Sequence, residues 1–293
     1  MTAVALAAGD VAGEETPPLP PALARAVARL ERGFSGTIAL WVHDLGRRET
    51  YGLRAAEPVK PASTIKLFVL RELLRRADAG ELRLDEDVVM ERRDVVPGSG
   101  VIRDLTPGLR LSLRDAATLM VTVSDNTATN LLIDRLGTRA INRETARAGF
   151  QGTHLGGKLF KGGGLRSRTT ARDLGVLMAR IARRRAVSRA ASATMLDILR
   201  REQYDTIVGR FLPHDDQAPS GSRARWRIAS KSGSIVGHRH DVAFVEGDGL
   251  RYVVALMSWD CADTRFWVDN EAQICLAHVA RAVHDHIARP DGA

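Results

Sequence analysis

Cysteine is nearly absent from this chain: Cys261 and Cys275 are the only two in 293 residues. A lone pair in so long a chain is not a disulfide framework, and both are expected to be free thiols. Lysine is scarce too. Only Lys60, Lys66, Lys158, Lys161 and Lys231 stand among 43 basic residues, so nearly all positive charge is carried by arginine. Arginine does not release its proton in a protein, whereas lysine does when its surroundings are tuned, so the few lysines are informative. No apolar run approaches the roughly 20 residues of a membrane helix. The first ten residues, Met1 to Asp10, have no basic n-region and only a short apolar stretch, so no secretory leader is legible. The expected location is therefore cytoplasmic, or periplasmic or extracellular if a leader had been removed. A net charge of +8 permits contact with polyanions, but no aromatic-rich basic stripe accompanies it, and neither a nucleic-acid nor a membrane partner is expected.

What is present is the composition of an ordinary globular chain long enough for a full core. Residues 1–21 are small, acidic and proline-rich and read as a flexible arm. A helix follows with Leu23, Val27 and Leu30 on one face. Thr37 to His43 is a nearly continuous apolar run of strand length, turned by Asp44-Leu45-Gly46, with Glu49 to Leu53 returning beside it. The middle is helical: 63–79, ended by Gly80; a run opened by Ser112 and Asp115 in capping-box fashion; 127–136, stopped by Gly137; then 171–184 and 187–201. Strand-like runs come back at Trp226–Lys231, Asp241–Glu246 and Tyr252–Trp259. A last helix presents Ile274, Ala277, Ala280, Val283 and Ile287. The order strands, helices, strands predicts an α/β (α+β) fold, in which an antiparallel sheet from both chain ends is flanked by helices and carries an inserted helical block. The expected division is 22–60 plus 220–293 as an α/β subdomain and 61–219 as a helical subdomain, intergrown as one catalytic domain.

Three short strings fall within this plan: Ser63-Thr64-Ile65-Lys66, Ser124-Asp125-Asn126 and Lys231-Ser232-Gly233. A chain of this length holds roughly one S-x-x-K by chance, while the other two are each expected well under once. Two of the five lysines lie inside them. Ser63 and Lys66, at i and i+3 near a helix start, share a face, so hydroxyl and amine can meet. A serine hydroxyl becomes a useful nucleophile only when a base takes its proton, and a desolvated lysine near other cations is such a base. Asp125 or Asn126 also suits a helix cap, which is compatible with any further role.

The set, in this order, resembles the signature of class A β-lactamases and penicillin-binding proteins. The resemblance implies the β-lactamase-like fold, with the site in a groove between sheet and helices, and a serine hydrolase or acyl transferase working through an acyl-enzyme on Ser63. It implies that Lys66 acts as base, Ser124 relays a proton toward the leaving group, and Asn126 bonds the substrate amide. Lys231 would bring positive charge near Ser124, Ser232 would bind a substrate carboxylate, and Gly233 would let the substrate backbone approach. Ser234 N–H, with that of Ser63, would form an oxyanion hole. The expected partner is a small acyl or β-lactam-like compound, for which the basic loop described next suits an anion. His238 and His240 form H-x-H, but a turn is the expected setting and no third ligand stands out, so no metal or cofactor is expected.

The resemblance breaks at one place. Class A β-lactamases carry, after the second motif, a glutamate in an E-x-x-L-N-like context that activates the deacylating water. The corresponding segment, about Phe150 to Arg172, contains no Asp or Glu; its charges are Lys158, Lys161, Arg166, Arg168 and Arg172, and it includes Gly162-Gly163-Gly164. Glu144, the nearest acid upstream, belongs to a preceding helix surface. Acylation is therefore expected and efficient β-lactam hydrolysis is not. The alternative is a covalent trap or sensor with little turnover.

Overall fold

The structure is a computed structural model that describes residues 15–162, 166–204, 206–212 and 226–289. The expected arm up to Glu14, two of the three successive glycines and the 219/220 boundary lie outside these residues. From Glu15 on, the proline stretch differs from a flexible arm. Gly52 N donates to Pro17 O at 2.9 Å, Pro18 forms a bridge with Gly52, and Leu19 is buried. Prolines cannot donate to a ladder, but their carbonyls can accept from the edge strand they lie along.

Helix α1 spans Pro21–Arg32, with proline at its first turn, where a missing N–H costs nothing. Strands β1 (Thr37–Asp44) and β2 (Glu49–Leu53) pair antiparallel, as their composition predicts. Helix α2 (Lys66–Asp78) is preceded by a 3-10 turn, Ala62–Ile65. A small hairpin, β3 (Asp87–Met90) and β4 (Leu109–Ser112), leads into α3 (Leu113–Thr122). Then come α4 (Asn126–Leu136), α5 (Thr138–Arg147), α6 (Ala171–Ala182) and α7 (Arg189–Leu199). Three strands close the sheet: β5 (Arg227–Ile235), β6 (His238–Gly247) and β7 (Leu250–Trp259). Helix α8 (Glu271–Ala288) ends the fold.

The sheet order is β2-β1-β7-β6-β5, all neighbours antiparallel, so β1 from the start of the chain pairs with β7 from its end. Helices cover both faces, which is why the central strands carry apolar runs such as Ile38–Val42, Val242–Val245 and Tyr252–Met257. Ile38, Leu40 and Val42 pack with Leu23, Val27, Leu276 and Val283 of α1 and α8. The alternate residues Ala39 and Trp41 pack with Phe68, Leu174 and Met178 on the other face. Gly175 makes that packing possible, because a Cβ there would lie 2.0 Å from the Trp41 ring. Among the described residues no helix is long and apolar enough to cross a membrane. Cys261 and Cys275 are both free.

Two placements differ from expectation. Lys231-Ser232-Gly233 lies inside β5 rather than at its end, since the strand continues to Ile235. His238 and His240 sit on β6, not in a turn. His240 is buried, with Nε2 on Lys60 O at 2.8 Å, and burial lowers its pKa to about 4. His238 Nδ1 lies 2.9 Å from Val236 O. Each ring thus has a main-chain carbonyl as partner.

Candidate active site

The three motifs converge where the start of α2, the α3–α4 junction and edge strand β5 meet. Ser63 lies in the 3-10 turn, directly after Ala62, whose φ of +47° is rare for a residue with a side chain. Ser124 has φ +51° between α3 and α4. These strained positions flank the site and are held by tertiary contacts. Asp125 caps α4 through Ala128 N at 2.9 Å, and its other oxygen accepts from Val101 N and Ile102 N at 2.7 and 2.9 Å. Ser99 Oγ donates to Ser124 O at 2.7 Å, and Asn126 Nδ2 to Pro97 O at 3.0 Å. The loop of residues 96–102 is thereby stitched onto the second motif.

Lys66 is fully buried and donates to Ser124 O, Ser124 Oγ and Asn126 Oδ1 at 2.6, 3.0 and 2.8 Å. Its hydrogen-bond partners are all uncharged. Burial, and then the charge of Lys231, hold its pKa well below 10.5. Ser63 Oγ, one turn away on a partly exposed residue, has no hydrogen bond among the described residues. The predicted meeting of hydroxyl and amine is thus a shared face, with the amine engaged by the second motif.

Glycine at 233 has a use beyond the one expected. A Cβ there would lie 2.9 Å from Ser63 N and 3.0 Å from Thr64 N. The backbone that approaches it closely is the 3-10 turn that carries Ser63. Strand β5 is the free edge of the sheet, and Ser232 N points outward from it. Residues i and i+2 of a strand direct their N–H groups the same way, so Ser234 N also points outward.

The third motif holds a residue that the sequence reading did not single out. Glu202, just after α7, has a fully buried side chain and an ion pair with the equally buried Lys231. Its carboxylate also accepts from Ser232 N at 2.9 and 3.0 Å, Ser232 Oγ at 2.8 Å and Ser230 Oγ at 2.9 Å. Gln203 N donates to Thr122 O at 2.9 Å and ties this stretch beside Ser124. Nothing in the string Arg200-Arg201-Glu202-Gln203 distinguishes Glu202 from a solvated acid; only its distant partners do.

The segment without acids is gripped by two asparagines. Asn142 holds the Leu155 main chain with two bonds of 2.8 Å, and Asn130 holds that of Leu159 with bonds of 2.8 and 2.9 Å. Asn130 stands one turn beyond Asn126 on α4, so Leu159 is placed along the side of the helix that reaches Lys66. Glu144 lies on α5 and pairs with Arg147 and Arg143. Among the described residues no group of His, Cys, Asp and Glu is arranged to hold a metal.

Comparison with known proteins agrees with this arrangement. A β-lactamase of Rhodobacter capsulatus is 26% identical over 270 residues, covering 89% of this chain and 87% of that protein. The structure of a β-lactamase from Sphaerobacter thermophilus is similar with a TM-score of 0.80 and 29% identity, covering 91% of this chain and 97% of that one. PBP-A, in a leucine-to-glutamate variant captured as an acyl-enzyme with penicillin G, is similar with a TM-score of 0.82 and 26% identity over 94% of this chain and 99% of that one. The profile of the Beta-lactamase enzyme family matches residues 22–287, and with the class A fold alongside it the chain belongs to that family as a serine hydrolase.

Proposed function

We propose that the protein forms an acyl-enzyme on Ser63 with a small acyl or β-lactam-like compound and releases it slowly. The groove lies between the sheet subdomain, 22–60 with 220–293, and the helical subdomain, 61–219. The observation that carries this reading is the buried Lys66 with only uncharged hydrogen-bond partners. A neutral amine has two N–H groups and one lone pair. With the N–H groups on Ser124 O and Asn126 Oδ1, the lone pair faces Ser124 Oγ, and a rotation of the side-chain end turns it to the Ser63 hydroxyl for the reaction. Ser63 Oγ attacks the acyl carbon, its proton passes to Lys66 Nζ, and Ser124 Oγ relays it to the leaving nitrogen or oxygen as that bond breaks. The Ser63 and Ser234 N–H groups would receive the developing oxyanion. Asn126 binds the substrate amide, and Ser232 and Gly233 border the groove.

Slow release has its own support. A carboxylate has about four lone-pair sites. Those of Glu202 are met by Lys231, Ser230 Oγ, Ser232 N and Ser232 Oγ. Asp125 accepts three main-chain N–H groups, and Gly100 closes on its carboxyl, where an added Cβ would lie 2.3 Å away. Glu202 has no site left to activate a water, and the one left on Asp125 is closed over by Gly100. This favours, as a second reading, a covalent trap or sensor. Intact-mass spectrometry with penicillin G and with p-nitrophenyl acetate tests both. A +acyl adduct that Ser63→Ala abolishes supports the acyl-enzyme, and product formed over many turnovers favours hydrolase over trap. No adduct and no product would sink both.

A further inference from the structure

Glu202 fills the place that the family resemblance assigns to a substrate's own carboxylate. The donor expected to bind that carboxylate is the Ser232 hydroxyl, with Lys231 bringing positive charge nearby, and both already have a carboxylate partner. A serine hydroxyl carries a single hydrogen. That of Ser232 is given to Glu202 Oε1 at 2.8 Å, so the remaining face of the oxygen offers lone pairs only. Ser232 N–H is committed to the same carboxylate. Lys231 and Glu202 have fully buried side chains, and their charges cancel where they stand.

A second carboxylate brought to Ser232 would therefore find no free hydrogen and no unbalanced positive charge. It would instead meet the carboxylate end of that pair one hydroxyl away, in surroundings where water screens poorly. An uncharged group, or one with an N–H to give to Ser232 Oγ, meets no such opposition. We propose that Glu202 is a built-in substitute for the substrate carboxylate. It makes the Ser63 site selective for uncharged acyl donors, esters or amides with no carboxylate beside the scissile bond. This inference rests on the acyl-enzyme reading above and adds no covalent step to it.

Penicillin G and its methyl ester form a matched pair that differs only in that carboxylate. Second-order acylation of Ser63 in the full chain is followed by intact mass for each, and each rate is divided by that compound's rate of base hydrolysis in buffer. The methyl ester is expected to react faster by about tenfold or more. In Glu202→Gln, which keeps the shape and loses the charge, the ratio is expected to fall toward one. Equal normalised rates in the unaltered protein, or a preference that Glu202→Gln leaves in place, would overturn the proposal. Should that variant not fold, the ratio in the unaltered protein decides alone. If p-nitrophenyl acetate labels Ser63 while the two penicillin compounds react equally, only the selectivity fails. If nothing labels Ser63, the acyl-enzyme reading fails with it.

Discussion

Lys66 and Lys231 are both wholly buried, and both stand in the candidate site, yet their neighbourhoods are opposite. Lys66 bonds to a main-chain carbonyl, a hydroxyl and an amide oxygen; Lys231 bonds to a carboxylate. An isolated ammonium without water is costly, so burial favours the neutral amine at Lys66, whereas a carboxylate partner offsets that cost at Lys231. Residue type and depth are the same. The difference lies in the partner, uncharged acceptors around one amine and a carboxylate against the other.

The largest test of this contrast exchanges each lysine for a side chain that cannot be deprotonated. Lys66→Arg is expected to lower the Ser63 acylation rate by about 10²–10⁴-fold, the usual worth of a general base. Lys231→Arg keeps the ion pair and is expected to cost about tenfold or less, measured by the same adduct formation. Equal losses would dissolve the distinction. Next in size is Glu202→Ala, which strands Lys231. Urea unfolding is expected to show about 3–5 kcal/mol of destabilisation, as for other broken buried pairs.

The pH profile sharpens the same comparison. Because Lys66 must be neutral to accept the proton, acylation by p-nitrophenyl acetate is expected to rise with pH. The rise should come well below 10.5, because burial and Lys231 lower the Lys66 pKa, and the rate should level off above it. A rise centred at the ordinary lysine value would contradict a desolvated amine. The linkage has the same sign. Over the interval between the lowered folded value and 10.5 the unfolded chain binds more protons, so Lys66 makes stability increase with pH.

The smallest expected effect concerns release. Leu159 is held by Asn130 on the helix that carries Asn126. Leu159→Glu would place a carboxylate with free lone pairs along that side of the groove. Acylation is expected to be nearly unchanged and decay of the penicillin adduct to quicken by about tenfold, read from its lifetime by mass spectrometry. An unchanged lifetime would show that the loop holds residue 159 away from the acyl group.

Much of the fold was legible because its signals are local. The Thr37–Asp44 and Glu49–Leu53 strands, the Ser112 cap and the helix ending before Gly137 follow from periodicity and turn chemistry within a few residues. The β3–β4 hairpin was not, because four-residue strands of mixed polarity carry too short a period. The fit of α6 on Trp41 shows only as a glycine inside a helical run. His238 and His240 followed a glycine that reads as a turn, yet pairing with β7 and β5 extends β6 back to include them.

By itself the sequence determined the order of elements, the three motifs and their spacing, and the lack of an acid between Phe150 and Arg172. Each of these is written in residue identities along a short stretch. Tertiary structure alone decided that Gly233 makes room for the Ser63 turn, that Lys66 has only uncharged hydrogen-bond partners, and that Glu202 closes on Lys231. Burial and charge pairing depend on which distant groups the fold brings together, and nothing local to Glu202 or Lys231 specifies the other.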